Sequence, residues 1–196
     1  MKNQLTPLSL IALLAAPVAG YAQEDTTQAP VGETIDLGEP VDTGPKIGDR
    51  YSKVKHGDWD LACIKTDTDT DPCSLLQIVA DETGNPIAEF SMFRISNGGP
   101  AVAGATVIVP LETLLTSQLT ISIDGAPGKR YNYTFCNPVG CVAQIGLTEA
   151  DINAFRQGKV AMLSLRPAPA PDQIINAPLS LTGFSAGYDI VDVVKQ

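Results

Sequence analysis

The sequence has one histidine and one tryptophan in 196 residues. A hydrolytic site of the Ser-His-Asp or Cys-His kind would have to be built on His56. No G-x-S-x-G segment accompanies it. Its place between Lys55 and Gly57, at the start of the first strand pattern, is that of an ordinary surface or turn histidine. No glycine-rich segment follows a strand and opens a helix, the arrangement that cradles phosphate. Bases are scarce as well: 13 Lys and Arg against 22 Asp and Glu leave a net charge of −9. Nucleic acid and anionic lipid both select basic patches, so neither is an expected partner. The longest apolar run, Leu5 to Val18, falls short of the about 20 residues a membrane-spanning helix needs. These absences leave no expected catalytic, cofactor-binding or metal-ligating residue.

The same apolar run carries information of its own. Lys2 and the α-amino group precede it, Thr6, Pro7 and Ser9 break it only lightly, and Gly20-Tyr21-Ala22 follows as a small-x-small site. Residues 1–22 are therefore expected to be an export signal, with the mature chain starting at Gln23 and no transmembrane segment within it. No cysteine lies at the cleavage site, which argues against a lipid anchor. The remaining 174 residues suit one domain plus a tail. Residues 23–49 hold seven acids against the single base Lys46, with much Pro, Gly and Thr and no aromatic. Such a segment buries too little apolar surface to offset its ordering entropy. Residues 23–50 are expected to form an acidic, disordered spacer, and residues 51–196 a β-sandwich domain.

From Tyr51 onward short strands and turns alternate. Trp59, Leu61 and Cys63 share one face, and Cys73 to Ala80 is apolar on both faces, as in a central strand. Asp81 to Pro86 reads as a turn, Ile87 to Ile95 as the returning strand, and Ser96 to Pro100 as a further turn. Strands are expected at Ala103 to Val109, at Leu119 to Ile123, through Tyr131, Tyr133 and Phe135, and at Gly140 to Ile145. Thr148 with Asp151 signals a helix start, Leu147 and Ile152 a hydrophobic staple, and Gly158 the stop. Lys159 to Arg166 and Leu179 to Phe184 read as the last strands, with Ser185 capping a short C-terminal turn. Eight or so strands at this spacing predict an antiparallel sandwich with one or two short helices.

Four cysteines allow three pairings, and proximity favours Cys63 with Cys73 and Cys136 with Cys141. Nine residues inside the first loop can close a strand–turn–strand. The Asn137-Pro138-Val139-Gly140 loop fits a tight turn. Each closure is worth about 2–3 kcal/mol in the chain-entropy model. Neither pair has the two-residue spacing of a redox site. Only the second reaches the spacing of a zinc pair, and an exported context favours disulfides. Asp67-Thr68-Asp69-Thr70-Asp71 opens like a calcium loop, but Pro72 stands where that loop needs Gly and Ile78 where it needs Glu. Residues 67–71 read as a solvated acidic loop, with weak cation binding the alternative. Asn132-Tyr133-Thr134 matches a glycosylation acceptor but is expected in mid-strand. Any two carboxylates could meet in the fold, and nothing in the spacing selects a pair.

Several segments together resemble the invasion-associated locus B family of exported bacterial proteins. They are His56-Gly57-Asp58-Trp59 followed by Cys63, Cys73 with its strand, Asp81-Glu82-Thr83-Gly84, Val109-Pro110-Leu111, Ile123-Asp124-Gly125, Cys136 to Cys141, and Leu179 to Phe184. The resemblance implies an immunoglobulin-like sandwich in the periplasm or outer envelope of a Gram-negative bacterium. In pathogenic members it implies a part in host-cell invasion, and it brings no catalytic residues. The leading expectation is a non-enzymatic interaction module whose partner is an envelope or host-surface protein. A carboxylate-based envelope hydrolase and a passive structural protein are the alternatives.

Overall fold

The computed structural model describes residues 37–80, 84–96 and 99–195. The expected export signal, most of the expected spacer and the turn tips at 81–83 and 97–98 lie outside the described residues. The chain divides into residues 1–42, of which 37–42 are exposed and without helix or strand, and residues 43–196.

The second unit contains twelve described strands and two helices. In chain order they are β1 (Arg50–His56), β2 (Trp59–Ile64), β3 (Cys73–Ala80), β4 (Pro86–Ile95), β5 (Ala103–Val109), β6 (Leu119–Ile123), β7 (Lys129–Tyr131), β8 (Phe135–Asn137) and β9 (Gly140–Leu147), then α1 (Glu149–Gln157), β10 (Val160–Leu165), β11 (Ile175–Ser180), α2 (Phe184–Ile190) and β12 (Val193–Val194). The larger sheet runs β1-β2-β3-β4-β5-β9-β8, with β12 added to β4 in parallel; the smaller runs β11-β10-β6-β7. All the remaining pairings are antiparallel. Leu75, Phe90, Met92, Val107 and Ala143 of the larger sheet join Leu119, Ile121, Leu163 and Leu179 of the smaller in one buried cluster, to which both helices contribute. This is the expected antiparallel sandwich, with two short helices.

Its aromatic centre links the larger sheet to the helices. Trp59 meets Phe90 and Phe184 edge-on, and Phe184 also contacts Phe155 and Tyr188. Gln77 is the polar exception on the inner face of β3. Its amide nitrogen donates to the Ser180 carbonyl at 3.0 Å, and its amide oxygen accepts from the Ser180 N–H at 2.8 Å. One side chain thus supplies both halves of a ladder step between the two sheets. A buried polar group is tolerated on that condition.

Local chemistry fixes the element ends. Asp151 donates its N–H to the Thr148 hydroxyl while its carboxylate accepts the Thr148 N–H, a closed capping box. Leu147 and Ile152 are both buried beside it, as a staple requires. The β1–β2 turn has two residues, Gly57 and Asp58, and only Gly57 has positive φ, the pattern of a type II′ hairpin. The outer edge of β1 carries a bulge between Ser52 and Val54 together with Lys53 and Lys55, all of which discourage edge pairing. Pro178 lies in the edge strand β11, where its missing N–H breaks no ladder.

Four expectations need correction. Tyr131, Tyr133 and Phe135 do not share one strand. The chain leaves the smaller sheet after Tyr131, crosses at Asn132–Thr134, and joins the larger sheet at Phe135. The alternation continues through the bend, so the pattern alone hides the change of sheet. Tyr133 is held in this crossover with its hydroxyl buried and unpartnered among the described residues, and burial pushes its pKa up to about 12. Asn132 is accordingly exposed in a connection and not in mid-strand; its amide oxygen accepts from Gln118 Nε2 at 2.8 Å. The last strand of the smaller sheet ends at Ser180, because β11 begins early and pairs Ser180 with Val160. Phe184 instead opens α2, whose cap residue is Gly183 and not Ser185. Strands β1 and β12 were not expected at all: β1 is a largely polar edge and β12 has two residues.

Candidate interaction site

Both disulfides join neighbouring strands, Cys63 to Cys73 across β2–β3 and Cys136 to Cys141 across β8–β9, each with 4.0 Å between Cα atoms. The first closes the base of the acidic loop. Inside that loop Asp71 accepts from the Thr66 N–H at 2.8 Å, the Tyr51 hydroxyl at 2.7 Å and Lys65 Nζ at 3.2 Å. Both of its oxygens are thereby used to hold the loop. No group of three or more His, Cys, Asp or Glu among the described residues is placed to hold a metal ion.

The Thr66 N–H, followed by the Tyr51 hydroxyl, holds the Asp71 carboxyl well below the ordinary aspartate value of 3.8. A carboxylate whose folded pKa is depressed stabilises the fold above its unfolded pKa, and that stability is lost as pH falls through the folded value. Stability of the native protein is therefore expected to decline as pH falls below about 4, the ordinary aspartate range. Asp71→Asn should be less stable at pH 7 and should show a shallower acid limb. Denaturant midpoints measured from pH 7 to pH 2 check this, and parallel curves for the two proteins would count against it.

The two ends of the sequence resemblance meet in space. Asp58 Oδ2 accepts from the Ser180 hydroxyl at 2.6 Å, the Asp58 N–H donates to the Thr182 carbonyl at 3.1 Å, and Trp59 Nε1 donates to the Ser180 carbonyl at 2.9 Å. His56 belongs to the same junction: its carbonyl lies against Gly183, and its Nε2 is buried without a partner among the described residues. These residues lock the β1–β2 turn to the segment after β11. Their role is to hold the fold.

The outward face of the larger sheet offers a different surface. Side chains alternate along each strand, so the residues paired across the strands line up in rows. One row runs Ile78, Glu89, Ile108, Val142 and Phe135. Glu89 is paired with Arg50, whose Nη1 donates to both carboxylate oxygens at 3.0 Å. Ile78, Ile87 and Ile108 line an open depression of about 320 Å³ together with Pro86, Pro110, Val139 and the paired Glu89. Ile78 is 57% exposed and Val139 77% exposed.

Val139 stands there for a definite reason. The Cys136–Cys141 bond closes a six-residue hairpin, and Asn137 Oδ1 accepts the N–H groups of Val139 and Gly140 at 2.9 and 3.2 Å. The backbone is fixed by covalent closure and an Asx turn together, and an aliphatic side chain is presented at the tip. A preorganised apolar group loses little entropy on contact, which favours binding. The sequence carries the signal for this depression in the two-faced apolar pattern of β3. That pattern reads equally as full burial, and only the fold shows Ile78 facing outward.

Comparison with known proteins places these features in context. The family pattern described as "Invasion associated locus B (IalB) protein" matches residues 59–192. Two invasion protein B homologues of Brucella abortus, from strain 2308 and from biovar 1 strain 9-941, are each 22% identical over 140 residues, covering 71% of this chain and 78% of theirs. The crystal structure of invasion associated protein B from Bartonella henselae superposes with a TM-score of 0.56 at 20% identity, covering 68% of this chain and 91% of that one. At that identity it speaks to the fold.

Proposed function

The chain belongs to the invasion-associated locus B family, and from that premise we propose that it is an exported, non-enzymatic interaction module of the bacterial cell envelope. In this reading residues 1–22 direct export, residues 23–50 form an acidic spacer and residues 51–196 the binding body. Its relatives are named invasion proteins and not enzymes. The disulfides suit an oxidising compartment such as the periplasm or outer envelope. The observation that carries the proposal is the exposed depression at Ile78, Ile108 and Val139, with Val139 presented on a disulfide-closed hairpin. Exposed apolar surface rimmed by polar residues marks a site for protein contact. The partner it fits is an envelope or host-surface protein that presents an apolar segment.

A photo-crosslinking side chain at Val139 is expected to capture one defined envelope or host-surface protein, and the same group at Lys53 on the β1 edge to capture none. Purified partner should compete for the adduct. Ile78→Asp should weaken binding at least about tenfold, as expected for a charge placed in an apolar contact. Adducts of equal yield at Val139 and Lys53, or binding unchanged by Ile78→Asp, would refute this assignment.

A further inference from the structure

The outward face of the smaller sheet is chemically the reverse of the larger one. Pairing across β11, β10, β6 and β7 sets Asn176 opposite Ser164, Ser164 opposite Thr120, and Thr120 opposite Arg130. Four polar side chains thus lie at one register across four strands. At about 4.8 Å between strands the row is roughly 14 Å long. It floors an open cleft of about 520 Å³. Thr116, Ser117, Gln118 and Arg166 complete its polar lining, and Leu165 and Ile174 are its only large apolar groups.

The walls are held in place. The Leu114 N–H donates to the Arg166 carbonyl at 2.7 Å and Thr113 bridges to Pro167, which anchors the loop carrying Gln118. Gln118 has φ +59, a left-handed conformation that costs a non-glycine residue energy, and its amide is fixed by Asn132. Arg166 Nη1 donates to the Pro171 carbonyl.

Charge selects the occupant. The chain carries 22 acids to 13 bases, yet this cleft is lined by two arginines and no carboxylate. Five of the described cations are held in ion pairs, Arg50, Lys55, Lys65, Lys129 and Arg156. Arg130 and Arg166 make none among the described residues. A guanidinium presents a planar fork of donors that matches carboxylate and sulfate oxygens. Hydroxyl and amide groups at intervals along the row both donate and accept hydrogen bonds, as sugar hydroxyls require. The lining is too polar for an apolar peptide, and its length exceeds that of a single small ion.

We infer that the cleft on the outer face of β11-β10-β6-β7 binds an anionic oligosaccharide, a sugar chain bearing carboxylate or sulfate groups, with Arg130 and Arg166 taking the charge and the Asn176–Ser164–Thr120 row taking the hydroxyls. This site is separate from the apolar depression and does not depend on it.

Titration calorimetry and amide chemical-shift mapping on the mature chain test the inference with four probes: an oligogalacturonate, a chondroitin sulfate hexasaccharide, neutral maltohexaose and inorganic sulfate. At least one anionic saccharide is expected to bind at least tenfold more tightly than both maltohexaose and sulfate, with shifts centred on Thr120, Ser164 and Asn176. Arg130→Glu should weaken that binding at least tenfold while leaving the thermal midpoint in place, because the Arg130 side chain is exposed and makes no ion pair among the described residues. Ser164→Ala should weaken it severalfold. Ile78→Asp should leave it unchanged, which separates failure here from failure of the proposed protein site. Binding of neither anionic saccharide, equal binding of the neutral one, sulfate binding as tight as the saccharide, or indifference to Arg130→Glu would each overturn the inference.

Discussion

Trp59→Ala is expected to destabilise the protein by about 3–5 kcal/mol, the usual cost of deleting a large aromatic from a core. The side chain has no solvent exposure and makes edge contacts to Phe90 and Phe184 at 5.8 and 5.5 Å between ring centres. Two penalties compete for the explanation. The indole N–H donates to the Ser180 carbonyl, and its loss removes a hydrogen bond worth about 1 kcal/mol. That carbonyl keeps a second donor, Gln77 Nε2, so it is not orphaned. The cavity therefore dominates. Trp59→Phe retains a ring but lacks the donor, and should lose only about 1–2 kcal/mol. Against a typical total of roughly 5–15 kcal/mol, the alanine variant should be largely unfolded at modest urea concentrations. Urea midpoints at constant slope measure both. A loss under about 1.5 kcal/mol for the alanine variant would mean that the aromatic centre is not what joins the larger sheet to the helices.

Gly183→Ala should cost about as much from a single added carbon. Gly183 has φ +87, and a Cβ there would sit 2.1 Å from the His56 carbonyl oxygen. Gly57 mirrors it, with φ +56 and a Cβ position 2.5 Å from the Thr182 carbonyl oxygen. The obstacle on both sides is backbone, which no rotamer change relieves. Left-handed geometry alone costs an alanine about 1–2 kcal/mol. Separating the two backbones would also break the Asp58 N–H to Thr182 bond and pull Phe184 from Trp59. A total loss of at least about 3 kcal/mol is expected. Gly125→Ala isolates the two contributions, since Gly125 has φ +78 and nothing within 4 Å of the added carbon. It should lose only the conformational part, about 1–2 kcal/mol. Equal losses at the two positions would show that the close approach contributes nothing.

The contrast between these glycines also shows what was legible in the sequence. Signals confined to a few residues read well: the Thr148–Asp151 box, the Gly158 stop and the close cysteine pairs each act over a handful of bonds. Strand β3 was legible end to end because its apolar run is bounded by turn residues. Strand β1 was not, since an edge strand with one face in water needs few apolar residues. The Tyr131–Phe135 crossover was hidden because alternation survives a change of sheet. Both surface sites were out of reach for a related reason. The Asn176–Ser164–Thr120–Arg130 row draws one residue from each of four strands, and nothing in the chain order marks them as neighbours. The family resemblance found Gly57-Asp58-Trp59 and the Leu179–Phe184 segment without showing that they touch.

That touch also sets the order in which the molecule can be completed. Trp59 finds its acceptor 121 residues later in the chain, and the Cys73 N–H finds the Asp192 carboxylate 119 residues later. Strand β12 extends the edge of β4 just beyond the point where β3 stops pairing with it. Contacts of such long range slow folding, because loop closure must come before the contacts that reward it. A chain emerging from its N-terminus therefore cannot close its core until residues 180–194 have appeared. Until then Trp59 lacks both its acceptor at Ser180 and its ring contact with Phe184.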